Sequence, residues 1–386
     1  MRTTSIDDLL RRAADSEAVP GVVAMVATAD DVIYSAAFGR RWLPDGPPMT
    51  TDTVCWIASM TKAITSTAAM LLVEQGRLTL EGPITTALPE LAQPQVLESF
   101  SVDGEPKLRA AARPITLRHL LTHTSGFGYD IWNADLARYR DRIGVPELFS
   151  GRNAALKMPL VFDPGDRWEY GIGIDWAGKA IERTSGKLLQ SYFDENLFGP
   201  LGMNSTGFAL TAEQRQRLAG VHARQDNGSL EQMAFDLPQE PEFQMGGGGL
   251  YGTAEDYLAF QRMFLREGRS DNARVLHPET VGLMGRNHIG RSQVTMLGRS
   301  MPYSNDAEFF PGTEKKWGLA FMLNTEPVAG GRSANSLAWA GLGNTYCWID
   351  PTQNLAGVFL TQILPFFDAK VLDLFYQFER ATYASL

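Results

Sequence analysis

Ser59-Met60-Thr61-Lys62 is the single Ser-x-x-Lys of this 386-residue chain, and its two end members could form a nucleophile and its base. A free serine hydroxyl is too weakly acidic to attack a carbonyl unaided, so an adjacent base is a chemical requirement. Residues three apart on a helix share a face, which brings Lys62 beside Ser59 one turn on. An ordinary lysine, with a pKa of about 10.4, is protonated at neutral pH and is no base. Burial lowers that value, and the apolar neighbours Trp56-Ile57-Ala58 and Ala63-Ile64 would bury Lys62. A bare four-residue pattern is often a capped, solvated helix start. Here the flanks argue against it, because a lysine among apolar residues needs a partner.

Competing chemistries find less support. No Gly-x-Ser-x-Gly elbow and no His-Glu-x-x-His helix occurs. His119 and His123 stand four apart, a metal-ligand spacing, yet no acidic or cysteine partner accompanies them, and structural hydrogen bonding is the better reading of both. A Ser-Lys pair also calls for a proton donor to the leaving group. Tyr170, in Asp163-Pro164-Gly165-Asp166-Arg167-Trp168-Glu169-Tyr170-Gly171-Ile172-Gly173, is suggestive, although a tyrosine at a loop-to-helix junction is usually a packing residue. The run Gly246 to Gly249 lacks the spacing of a phosphate loop, so it reads as a tight turn or a close backbone approach.

The elements that must position these residues can be read from periodicity. Residues 5–17 form an amphipathic helix stopped by Pro20-Gly21, and 22–27 and 32–38 are β-branched runs joined as an antiparallel hairpin. The helix opening at Ser59 carries Ile64, Ala68, Leu71 and Leu72 at helical spacing and stops near Gly76, as a central buried helix would. From Leu78 to about Phe235 the pattern is mostly helical. Strands return at 317–323, 337–340, 345–349 and 356–363, and Thr253 with Asp256 marks a helix start. A last helix from Asp368 presents Val371, Leu374, Phe375 and Phe378 as a stripe that must pack on the new sheet. The expected fold class is α/β (α+β): an antiparallel sheet flanked by helices and built from both chain ends, residues 1–80 and 240–386, plus an inserted, mainly helical domain, 81–239, with the site between them.

Bulk properties narrow the partners. A hydrophobic share of 44% is that of an ordinary globular chain, and a net charge of −9 argues against nucleic acid or anionic membrane. Residues 1–10 have no apolar run behind Arg2 and no later stretch approaches a spanning length, so the expectation is a soluble, cytoplasmic protein. Cys55 and Cys347 are expected as buried thiols rather than a disulfide.

Taken together, Ser59-x-x-Lys62, the segment Ile115-Thr116-Leu117-Arg118-His119-Leu120-Leu121-Thr122-His123-Thr124-Ser125-Gly126, Pro164-Gly165 ahead of Tyr170, and Phe198-Gly199-Pro200-Leu201-Gly202-Met203 resemble the serine β-lactamase-like superfamily over nearly the whole chain. The resemblance implies Ser59 as acylated nucleophile, Lys62 as base, Tyr170 as proton relay, and the backbone N–H groups of Ser59 and Leu342 as oxyanion hole. The chain departs from the class C β-lactamase pattern twice. Ile172 stands where that class has the Asn of Tyr-x-Asn, and Trp339-Ala340-Gly341 stands where it has Lys-Thr-Gly. An indole in place of a cation offers no charge to a substrate carboxylate, so neutral esters become the expected substrates and Trp339 an expected apolar wall. Gly341 would allow close backbone approach. In this the chain is similar to the family VIII carboxylesterases and the statin side-chain acyltransferases.

The resulting expectation is a serine carboxylesterase for short-chain neutral esters. Tyr129, Trp132 and Tyr251 are further candidate pocket liners, no metal or organic cofactor is required, and a homo-oligomer is compatible with the sequence. The alternatives are an acyltransferase to a specific alcohol, a β-lactamase or D-peptidase, and a catalytically silent binding protein.

Overall fold

The structure, a computed structural model, describes residues 4–386. Residues 1–3, part of the stretch read for an export signal, lie outside the described residues. The chain opens with helix α1 (Thr4–Asp15), which buries Ile6, Leu10 and Ala14 from every fourth position. Strands β1 (Gly21–Ala27) and β2 (Val32–Gly39) follow as the expected hairpin, its turn closed by the Thr28 N–H donating to the Asp31 carbonyl at 2.9 Å. The remaining strands of the main sheet come from the other end of the chain: β3 (Lys315–Trp317), β4 (Met322–Asn324), β5 (Leu337–Gly341), β6 (Thr345–Asp350) and β7 (Leu355–Leu360). The seven-stranded sheet runs in the order β2-β1-β7-β6-β5-β4-β3, antiparallel throughout. The pairing of β1 with β7, Met25 opposite Val358, joins the two chain ends.

Both faces of the sheet are covered, which is why β6 is buried at every position instead of alternating. On one face, helix α7 (Ala369–Ala384) lays its Val371, Leu374, Phe375 and Phe378 stripe down. Phe375 stacks on Tyr346 with ring centroids 4.6 Å apart, and Phe378 meets Trp348 edge-on. On the other face, Cys347, one residue out of phase with Tyr346 and Trp348, meets Tyr257 of helix α6 (Ala254–Leu265). The Thr253 side chain caps α6 by accepting from the Asp256 N–H. Helix α2 (Thr61–Glu74) is buried on every side from Thr61 to Leu72, the pattern of a central helix.

Several expected elements differ. The run at 317–323 is two strands, because the chain reverses at Gly318, whose N–H donates to the Phe321 carbonyl. The run at 356–363 ends at Leu360, and Ile363–Leu364 instead pairs in parallel with His222–Arg224 in a small separate sheet. The polar Gln362 causes the break: its amide is drawn off to both backbone groups of Trp56, at 3.0 Å each. Between 78 and 235 lie helices α3 (Leu117–Leu121), α4 (Ala134–Ile143) and α5 (Gly173–Ser185), and this region also holds an antiparallel hairpin, Gln95–Phe100 with Pro106–Ala110. That hairpin turns at Asp103-Gly104, with Gly104 at φ 81°. Cys55 and Cys347 are buried free thiols. No helix among the described residues is long and apolar enough to cross a membrane.

Candidate active site

Ser59 sits at the end of a chain segment pinned from three directions. Trp56 is held by Gln362 and by its own indole N–H, which donates to the Gly248 carbonyl at 2.8 Å, and the Ile57 N–H donates to the Leu250 carbonyl at 3.0 Å. Ala58 then adopts φ 46°, a left-handed conformation that costs a residue with a Cβ about 1–3 kcal/mol and persists only where the surroundings impose it. It turns the extended Cys55–Trp56 bridge into a helical turn that presents the serine. That turn, Ala58–Met60, is a 3-10 helix, and α2 starts only at Thr61.

The Lys62 ammonium nitrogen lies 3.1 Å from Ser59 Oγ and donates to the Gly247 carbonyl at 2.5 Å. It also lies over the rings of Tyr170 and Tyr129, 4.6 and 5.0 Å from their centroids. Lys62 is buried, and burial brings its pKa down from its ordinary value of 10.5 to about 7, against the opposing pull of the Asp175 charge. Asp175, in the first turn of α5, is pushed up by its own burial and held down chiefly by Lys62. Gly247 stands between the two: its carbonyl accepts from Lys62 while its N–H donates to Asp175 Oδ1 at 2.8 Å. Only glycine fits there, since a Cβ would lie 2.5 Å from Asp175 Oδ2. The glycine run is thus a close backbone approach, with Gly246 accepting from Thr65 and Gly248 from Trp56.

Tyr170 packs its ring against the Lys62 ammonium nitrogen. Burial raises its pKa well above the ordinary phenol value, while the neighbouring Ser59 hydroxyl and the Trp339 indole N–H, which donates at 3.0 Å, pull the other way. This corrects the expectation for Trp339. Its indole does not wall the cleft; it is packed behind Tyr170 against Trp317 and Phe309, with centroids 4.6 and 5.6 Å away, and uses its N–H on the phenol oxygen. Gly341, two residues on in β5 and on the same face, clears space for the turn that carries Ser59. A Cβ there would lie 2.4 Å from the Ile57 carbonyl and 2.2 Å from Thr345 Oγ1.

Ser59 opens onto a cleft lined by Trp56, Tyr129, Trp132, Phe149, Met245, Met301, Tyr303 and Leu342. Its charged members are Asp130, Arg140 and Glu147, and Arg140 is already engaged by the carboxylates of Asp130 and Asp141. Tyr129, Trp132 and Leu342 line this cleft beside Ser59. Tyr251 does not: its hydroxyl is turned to the 236–237 loop, accepting from the Leu237 N–H and donating to Asp236, because the backbone after the glycine run pairs with Cys55–Trp56 and carries the ring away. The two expected structural histidines are just that: His119 closes the capping box of α3, and His123 accepts from the Gly171 N–H. Sequence reading missed Asp175. An acid in a first helical turn is an ordinary choice for the helix dipole, and only its apolar neighbours Ile174 and Trp176 hinted at burial.

Comparison with known proteins identifies the family. The family model described as Beta-lactamase matches residues 6–380. Lovastatin esterase of Penicillium rubens is 33% identical over 396 residues, covering 98% of both chains. Monacolin J acid methylbutanoyltransferase of Aspergillus terreus is 31% identical over 399 residues, covering 98% of this chain and 95% of its own. Among solved structures, the LovD6 mutant of simvastatin synthase from Aspergillus terreus superposes with a TM-score of 0.85 at 30% identity, over 99% of this chain and 97% of that one. The chain belongs to the β-lactamase family, and within it to the serine enzymes with a hydrolase-type site whose relatives include esterases and acyltransferases.

Proposed function

We propose that this protein is a serine carboxylesterase acting on short-chain neutral esters. The observation that carries the reading is the buried Lys62 Nζ 3.1 Å from Ser59 Oγ, its pKa brought down to about 7 so that the free amine is accessible at neutral pH, with the Tyr170 ring packed against the same Nζ. Ser59 Oγ attacks the ester carbonyl and its proton passes to Lys62. The carbon–oxygen bond to the alcohol breaks, the departing alkoxide takes a proton through Tyr170, and water then releases the acid from the acyl-enzyme. The backbone N–H groups of Ser59 and Leu342 would hold the oxyanion, each donor being worth about 3 kcal/mol in sites of this kind. A cleft lined chiefly by apolar and aromatic groups, whose one cation is already engaged by two carboxylates, favours a neutral substrate over a carboxylate-bearing one.

Transfer of the acyl group to a specific alcohol is the second reading. It shares the first half-reaction, and the similarity to a methylbutanoyltransferase at 31% identity favours it as strongly as the esterase relative favours hydrolysis. The test is turnover of p-nitrophenyl butyrate and of a chromogenic cephalosporin by wild type and Ser59→Ala, with products analysed in the presence and absence of an added alcohol. Rapid ester cleavage that Ser59→Ala abolishes, slow cephalosporin turnover and free butyrate as the main product are expected. Butyrate appearing chiefly on the alcohol would move the assignment to acyl transfer, and ester cleavage surviving in Ser59→Ala would overturn the mechanism.

A further inference from the structure

We infer that His123 is a positioning residue for Tyr170, an assignment that rests on the proton-relay reading of that tyrosine. Tyr170 lies on a loop with no regular structure of its own, and the segment 123–129 holds its backbone on both sides. The Glu169 N–H donates to the His123 carbonyl at 2.9 Å, and the Gly171 N–H donates to His123 Nδ1 at 3.3 Å. One residue therefore takes the amide before Tyr170 with its main chain and the amide after it with its side chain. The Tyr129 N–H adds a bond to the Tyr170 carbonyl at 3.2 Å. The imidazole also packs against the phenol ring, centroids 4.8 Å apart, and is boxed in by Trp317 at 4.9 Å and Trp168 at 6.2 Å.

The arrangement carries penalties that a packing residue would not. His123 is at φ 57°, a left-handed conformation that glycine adopts freely and most residues with a Cβ avoid. Accepting through Nδ1 puts the proton of the neutral ring on Nε2, and that nitrogen is buried with no hydrogen-bond partner among the described residues. A leucine would fill the space without stranding a polar atom, but it could not accept from Gly171. What offsets both penalties is the fixed path of residues 169–171, which sets where the Tyr170 hydroxyl meets Ser59. A displacement of the order of 1 Å at such a contact can cost on the order of a hundredfold in rate.

The experiment compares His123→Leu, His123→Asn and Tyr170→Phe in p-nitrophenyl butyrate hydrolysis, with folding followed by circular dichroism and thermal melting. Asparagine tolerates positive φ, and its side-chain oxygen can replace Nδ1 as acceptor. His123→Leu should lose on the order of tenfold to a hundredfold in kcat with KM held within about twofold, and His123→Asn should recover most of that loss. If His123→Leu does not fold, His123→Gly, unstrained at this φ and lacking the acceptor, replaces it with the same expectation. A folded Leu or Gly variant with unchanged kcat overturns the inference, and so does an Asn variant that folds yet falls as far as they do. Tyr170→Phe separates the two levels: full activity there removes the relay reading itself, whereas a dead Tyr170→Phe beside an active His123→Leu removes only the role given to His123.

Discussion

Burial and one buried charge set the pKa of Lys62: desolvation lowers it and Asp175 raises it. On the proposed mechanism the free amine is the active form, so kcat/KM for a neutral ester should rise with pH as Lys62 loses its proton, through about 7 rather than near its ordinary 10.5. Asp175→Asn keeps an oxygen to accept from Gly247 but removes a negative charge that favours the ammonium form. The rising limb should therefore move to lower pH in that variant. A pH–rate profile checks the sign, and a limb that stays put or moves up would show that Asp175 does not act on Lys62 through its charge. At this scale the sequence was legible where chemistry demands a local pair, as at Ser59 and Lys62. Asp175 was not, because its meeting with Lys62 runs through Gly247, and that contact spans 185 residues of chain.

The elements explain why so small a serine turn can be held so firmly. β5 approaches the Ala58–Met60 turn closely enough that position 341 has no room for a Cβ, and the 246–249 run holds the same segment through the Gly248 carbonyl, which accepts from Trp56, and the Gly247 carbonyl, which accepts from Lys62. Gly341→Ala should push the strand away from the Ile57 carbonyl. The expected result is a loss on the order of a hundredfold in kcat/KM with a stability decrease of about 1–3 kcal/mol, read from kinetics and thermal melting on the same preparation. A drop in stability with intact kinetics would mean that the strand relaxes without moving the serine. Elements with one uninterrupted pattern were legible in the sequence, such as the first hairpin, α2 and the stripe of α7. Those set by tertiary bonds were not: Gln362 ends β7 by turning to Trp56, and the role of Trp339 depends on a phenol 169 residues away. An indole on a strand offers both a wall and a donor, and only the position of Tyr170 decides between them.

At the scale of the molecule, the sheet that carries β5 is made from both chain ends, so the site depends on how the last helix is fastened. α7 is fastened by more than its aromatic stripe. Glu379 accepts from Arg332 Nε at 2.7 Å and Nη2 at 2.8 Å, and from the Arg332 N–H at 3.1 Å, in a pair only 1% exposed on either side. Arg332 lies in the connection from β4 to β5, and its guanidinium is also surrounded by Phe310, Trp348 and Phe375. The pair thus ties α7 to the approach of the strand that packs on the serine turn. Removing one partner strands a buried charge, so Glu379→Leu alone should destabilise by about 3–5 kcal/mol. Arg332→Met with Glu379→Leu removes both charges and should recover much of that loss, which a urea-unfolding double-mutant cycle measures directly. The double variant should also keep kcat near wild type, because the apolar replacements still pack α7 on the sheet. If it unfolds as easily as the single variant, the contribution lies in the three directed hydrogen bonds that fix the β4–β5 connection, and kcat should then fall along with stability as β5 loses its hold on the serine turn.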